Sequence, residues 1–296
     1  MQYGQHPAAA RTIVHLSDTH LLAAGALIGG AWDATAGLDR LLARLERLGS
    51  ADAIVVTGDL TDLGEPDAYR ALAAAVEPVA ERLGARLIWV AGNHDERPAM
   101  RAELLGLSAD ERPITSVADL DGLRIIALDS TVPGWHHGEI GDEQLAWLGS
   151  ELARPAPLGT ILALHHPPLP SHVPMFDILE LRDQRSLAEV VRGSDVRAIL
   201  AGHLHYAMTG SFAGAPTFVA SASCYSMDVV RPPREVNGMD AGQSFHLVHV
   251  HDDQVTATVV PVEAADPAEF FTPEWYAALD AMTPDERLAA FSRKRR

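Results

Sequence analysis

Short runs of β-branched and aliphatic residues recur along the chain, and each ends in a cluster of polar side chains. They cover residues 12–17, 53–57, 86–90, 124–128, 160–164 and 196–200. Unbroken apolar runs of this length predict strands buried on both faces. Helical patterns lie between several of them. Residues 33–48 repeat leucine at Leu38, Leu41, Leu42, Leu45 and Leu48 and stop at Gly49, as an amphipathic helix does. Residues 66–83 predict a second helix, bent or interrupted at Pro78, and residues 142–152 and 179–191 a third and a fourth.

Alternation of strand and helix predicts an α/β protein. Two departures rule out a purely parallel sheet. Residues 114–117 and 123–128 flank Asp121-Gly122 and read as a hairpin. After His205 come four strand patterns with little helix, at residues 208–212, 216–220, 244–250 and 255–260. Two mixed sheets packed face to face, with helices outside, accommodate both features. The Pro- and Gly-rich segment 231–243 reads as a mobile loop, and the pattern turns helical again from Ala264. The expected organisation is one large domain over residues 1–263 with a C-terminal helical tail, 264–296.

Composition narrows the function. A net charge of −17 argues against nucleic acid or an anionic membrane as partner. The basic residues are almost all arginine, with Lys294 the one lysine, so a lysine-dependent phosphate loop is excluded upstream of it. The single cysteine, Cys224, excludes an intramolecular disulfide. No stretch reaches the roughly 18 apolar residues of a membrane span, and residues 1–10 lack a signal-peptide pattern. The plain expectation is a cytoplasmic enzyme.

The chemistry collects at the strand ends. The first strand runs into Asp18-Thr19-His20, the second into Gly58-Asp59, and the third into Gly92-Asn93-His94-Asp95. Residues 160–164 open into His165-His166-Pro167-Pro168, and residues 196–200 lead to Gly202-His203-Leu204-His205. Loops at the carboxyl edge of a sheet converge, so these five elements predict one site. Its Asp, His and Asn inventory suits zinc, manganese or iron rather than a soft metal. The donors are too many for one ion and enough for two if a carboxylate bridges. Any one of these motifs alone is commonplace; five in order, each directly after a strand, are specific.

The ordered set DxH, GD, GNHD, H and GHxH resembles that of the calcineurin-like metallophosphoesterases. The stretches HLSDTHL, DAIVVTGDLTDLGEPDAYR, VAGNHDER, DGLRIIALDSTVPGWHHGEI, GTILALHHPP, LRDQ and VRAILAGHLHY are similar to class III cyclic-nucleotide phosphodiesterases of actinobacteria. The likeness spans roughly residues 12–250. It implies a four-layer α/β/β/α sandwich, a homodimer, and two divalent or mixed-valence metal ions, iron or manganese before zinc. One ion would be held by Asp18, His20, Asp59 and His205, the other by Asp59, Asn93, His165 and His203, with Asp59 bridging. His94 matches the catalytic histidine, as proton donor to the leaving oxygen or as a donor to the phosphate.

The implied activity is hydrolysis of the phosphodiester of 3′,5′-cyclic nucleotides, cAMP and also cGMP, to 5′-monophosphates. Two cations would activate water, neutralise the phosphate and align the attack, which reconciles an acidic protein with an anionic substrate. The same chemistry would serve 2′,3′-cyclic nucleotides or glycerophosphodiesters, and a non-catalytic scaffold on this fold is the rival of another class. Asn93, His94 and His136 are the expected substrate contacts. Asp62 either reaches the phosphate through water or caps the helix that begins near Pro66. Asp95 is a candidate to orient His94. His166 reads as a supporting residue, Cys224 as a small buried one, Trp32, Trp147 and Trp275 as packing, and Tyr206 as a candidate pocket wall.

Overall fold

The computed structural model of the protein describes residues 3–232, 234–263 and 271–294. Two large sheets carry the fold. In the first, β1 (Arg11–Leu16), β2 (Ala53–Thr57) and β3 (Arg86–Val90) run parallel. Antiparallel β12 (Ser244–Val250) and β13 (Val255–Pro261) extend it beside β1, giving the order β13-β12-β1-β2-β3. In the second, β5 (Leu123–Ala127), β6 (Thr160–Ala163), β7 (Val196–Ala201) and β9 (Ala215–Val219) are parallel. Antiparallel β4 (Ser116–Leu120) and β8 (Met208–Phe212) form its edges.

Side-chain alternation along each strand builds the layers. Ile13, Ala53, Val55, Ile88 and Val90 face Ile125, Ala127, Ile161, Ala198 and Leu200 between the sheets. Their neighbours Val14, Leu16, Ile54 and Val56 point outward beneath α1 (Ala34–Leu45) and α2 (Pro66–Leu83). On the opposite flank Ile126, Leu162 and Ile199 pack under α4 (Asp142–Leu152) and α5 (Gln184–Val191). Both faces of each central strand are therefore buried, which is why the strands read as continuous apolar runs. The architecture is the expected α/β/β/α sandwich of two mixed sheets.

Several elements differ from the sequence reading for identifiable reasons. Helix α2 is uninterrupted through Pro78, which lies on the exposed face, where the carbonyl freed by the missing N–H can meet water. The predicted helix 179–191 starts only at Gln184. Upstream, Arg182 N–H donates to Gly138 O at 2.8 Å and Leu181 bridges Gly138, so tertiary pairing takes the backbone. Helix α3 (Arg97–Glu103) was not expected, because its buried face is Arg97, Met100 and Arg101. The segment read as a mobile loop carries β11 (Gly238–Met239), paired with β10 (Ser226–Met227).

The tail forms α6 (Pro273–Asp280) and α7 (Pro284–Arg287), capped by Thr272 and Thr283 and burying none of their residues. The expected domain boundary falls at residues 264–270, outside the described residues. Among the described residues no helix is long and apolar enough to cross a membrane.

Candidate metal centre

The loops that leave β1, β2 and β3 of the first sheet and β6 and β7 of the second meet at one edge of the sandwich, and backbone bonds tie them together. Asp18 N–H donates to Gly58 O (3.0 Å), His20 N–H to Asp59 O (2.8 Å) and Gly202 N–H to His165 O (2.9 Å). Asp18, His20, Asp59, His203 and His205 all adopt positive φ, between 45° and 73°. Non-glycine residues rarely enter this region, and they do so chiefly at functional sites. Gly58, at φ 91°, has no room for a side chain: a Cβ would lie 2.8 Å from Gly92 Cα. Sharp turns in tight contact are what bring five loops onto one point.

Asp18, His20, Asp59 and His205 each offer a ligand atom, all within 4.8 Å of one another, and all four residues are buried. His20 Nε2 lies 3.1 Å from His205 Nε2 and 3.4 Å from Asp59 Oδ2, and His205 Nε2 lies 3.5 Å from Asp18 Oδ1. On the far side of Asp59, His165 Nε2 is 3.3 Å from Asp59 Oδ2 and 3.1 Å from Asn93 Oδ1. His203 stacks edge-on against His165, with ring centroids 5.1 Å apart. Its Nε2 donates to Leu179 O at 3.1 Å, leaving Nδ1 for the cluster. One oxygen, Asp59 Oδ2, thus faces a histidine of each half.

These spacings fit metal ions. Donors bound about 2.1 Å from one ion at right angles lie about 3 Å apart, and two imidazole nitrogens do not face each other at 3.1 Å without a cation or proton between them. The supporting bonds fit as well, since a ligating imidazole ordinarily donates its other N–H to a carbonyl or carboxylate. His20 Nδ1 reaches Asp62 Oδ1 (2.9 Å), His165 Nδ1 reaches Thr57 O (2.6 Å) and His205 Nδ1 reaches Tyr225 O (3.1 Å).

With the protein's own charges alone, the cluster sorts protons unevenly. Burial disfavours charge on His20, but its bonds to Asp59 and Asp62 outweigh this and lift its pKa to about 10. His165, buried beside Asp59 and Asp18, rises to about 9. Burial raises Asp18 to about 6. Asp59 is held well below the usual carboxylate range, because the two histidines overcome its burial. Burial pushes His203 and His205 far down, keeping both neutral.

The neighbouring residues divide between cleft and support. His94 N–H donates to Asp59 Oδ1 (2.8 Å) and His94 Nδ1 to Asp62 O (2.9 Å), which leaves Nε2 for the cleft. Asp95 does not orient His94. Its carboxylate is turned inward, accepting from Gly92 N, Leu60 N, Thr61 N and Tyr69 Oη. Asp62 caps no helix; it backs His20 and stands 3.5 Å from His94 Nδ1. His136 Nδ1 lies 3.0 Å from Asn93 Nδ2 and its ring 5.1 Å from that of His94, whereas His137 is buried. His166 bonds Ser130 Oγ (2.8 Å) and the His136 carbonyl (3.2 Å), fixing the cleft loop.

Cys224 is buried, 4.0 Å from His205 Nδ1. Tyr206 bonds Ser171 and the His172 amide and does not line the cleft. Tyr225 does, held by Trp32 stacked at 4.5 Å. No motif marked it in the sequence, because it reaches the site along the crossover after β9.

A family model described as calcineurin-like phosphoesterase matches residues 11–207. A probable cyclic nucleotide phosphodiesterase of Rhodococcus erythropolis is 53% identical over 261 residues, 88% of this chain and 86% of that protein. The cAMP/cGMP dual specificity phosphodiesterase of Mycobacterium tuberculosis is 51% identical over 263 residues, 88% of this chain and 83% of that one. Among solved structures, a dimetal phosphatase from Danio rerio superposes with a TM-score of 0.61 at 15% identity, covering 86% of this chain and 97% of its own, a likeness of fold. With ordered motifs, a shared sandwich and relatives at this identity, the chain belongs to the calcineurin-like phosphoesterase family.

Proposed function

We propose that the protein hydrolyses 3′,5′-cyclic nucleotides, cAMP and cGMP, to 5′-monophosphates at a two-metal centre. The observation that carries the reading is Asp59 Oδ2, 3.4 Å from His20 Nε2 and 3.3 Å from His165 Nε2, one carboxylate oxygen facing two halves of a donor set. Asp18, His20, Asp59 and His205 would hold one ion, and Asp59, Asn93, His165 and His203 the other. The N/O donors suit iron or manganese, and zinc as well. When bound, such ions lower the pKa of water and neutralise the non-bridging phosphate oxygens.

The chain's own groups supply the rest. Asn93 spans the centre and the cleft, its Oδ1 toward His165 and its Nδ2 toward His136. His94, whose Nδ1–H is held by the Asp62 carbonyl, would present Nε2–H to the substrate in its doubly protonated form. There it donates to the leaving ribose oxygen, which departs poorly without a proton. His136, beside it, contacts the phosphate or sugar. The surrounding acidity of the protein, −17 overall, makes local cations the attraction for an anionic substrate.

Support for the substrate class comes from the names of the two relatives above half identity. Steady-state comparison of cAMP, cGMP, 2′,3′-cyclic AMP and glycerophosphocholine tests it. Preference for either of the last two would move the assignment to a broader phosphodiesterase. Two bound metals with no turnover of any diester would make the protein a scaffold. A cytoplasmic homodimer belongs to the same proposal, to be checked by fractionation and light scattering.

A further inference from the structure

Beside the donor set lies a cleft of about 450 Å³, within the range of about 300–1,000 Å³ usual for small-molecule sites. It shares Asp62, Asn93, His94 and His136 with the smaller cavity over the metal donors, so the two adjoin across these side chains. None of the metal or phosphate chemistry above uses its outer part. That outer wall carries Trp135, the one exposed tryptophan of five, at 62%. The other four are buried or half-buried in packing.

Trp135 is a poor packing residue and a well-placed surface. Among the described residues its one ring neighbour is His137, tilted at 58° with centroids 5.6 Å apart, so none of their rings lies flat on the indole. The loop beneath is firmly held. Trp135 N–H donates to Val132 O (2.9 Å), Glu139 N–H to Ser130 O (3.0 Å) and Arg97 to Thr131 O (2.9 Å), in addition to the bond from His166 to His136 O. A solvent-facing aromatic plane on a well-held loop next to a reactive centre can bind a flat apolar partner without ordering the loop first.

The charges along the cleft give a direction. Glu96 and Glu111 line it and are exposed, and neither lines the smaller cavity over the metal donors. They repel a phosphate and accept hydrogen bonds from amino groups. A nucleotide would therefore enter with its phosphate toward Asn93 and His94 and its base outward.

We propose that the Trp135 indole is the platform on which the substrate's purine stacks, with Glu96 or Glu111 accepting from the amino edge of the base. This rests on the cyclic-nucleotide reading given above. Stacking of one base on an aromatic side chain contributes enough that its loss lowers affinity by about tenfold or more.

The test compares wild type, Trp135→Ala and Trp135→Phe on cAMP and on a base-free analogue, methyl riboside 3′,5′-cyclic phosphate. Wild type should prefer cAMP through KM, and Trp135→Ala should shrink that preference about tenfold. Trp135→Phe, which keeps a π-face, should restore most of it. An equal preference in all three proteins would overturn the platform while leaving the hydrolase intact. Equal losses on both substrates in Trp135→Ala would do the same, by showing that only loop structure had changed. Wild type that cleaves an aryl diester but not cAMP would overturn the functional reading itself, and the platform with it.

Discussion

Loading metal into the stripped protein should expel protons, and the number follows from the site. His20 titrates at about 10 and His165 at about 9, so near pH 7 both rings are imidazolium. A metal needs the neutral imidazole nitrogen. Both protons must therefore leave, in addition to any from bound water, while Asp59, His203 and His205 have none to give at that pH. By linkage each released proton makes overall affinity rise about tenfold per pH unit, so two give about 100-fold between pH 7 and 8. The rise should level off as pH passes about 9 and then about 10. Below about pH 6 a third proton, on Asp18, adds to the count.

Calorimetric titration with Mn(II) in non-coordinating buffers of different ionisation enthalpy reads the number directly, as the slope of apparent against buffer enthalpy. At least two protons per filled dinuclear site are expected at pH 7, and about one fewer from His20→Asn. A slope near zero, or an affinity flat between pH 7 and 8, would show that His20 and His165 are not the groups the metals displace.

Three further outcomes are expected. His94→Ala should keep both metals yet lose about 10²–10⁴-fold on cAMP, and far less on bis-p-nitrophenyl phosphate, whose phenolate leaves unaided; equal losses would make His94 a phosphate contact instead. Asp59→Ala should cost more turnover than His205→Ala, because only Asp59 serves both halves of the donor set, and metal analysis showing two tightly held ions in an active variant would refute the bridge. Arg97→Ala should destabilise by about 3–5 kcal/mol, because it strands the fully buried Asp129 that Arg97 Nε meets at 2.8 Å; urea denaturation measures it, and a change below about 1 kcal/mol would mean that Asp129 is satisfied by Thr131 and Ile114 alone.

The sandwich was legible in the sequence because burial on both faces writes unbroken apolar runs, and antiparallel additions write a hairpin and a helix-poor end. The convergence of the candidate donors was legible for a related reason: each stands just after a strand, and two packed sheets gather the ends of their parallel strands at one edge of the sandwich. Packing decided what local pattern could not. Leu179 to Asp183 read as helix, but pairing of Leu181 and Arg182 with Gly138 keeps them out of it, and the Leu179 carbonyl accepts from His203. Asp95 adjoins His94 in sequence and faces away from it, while Asp62, more than thirty positions earlier, supports both His94 and His20. Tyr225 and the loop presenting Trp135 reach the cleft on connections that carry no periodicity. Strand ends are placed by short-range order, so their residues can be read in one dimension. The partners that orient those residues are chosen by close packing between distant segments, and only the folded chain brings them within hydrogen-bonding reach.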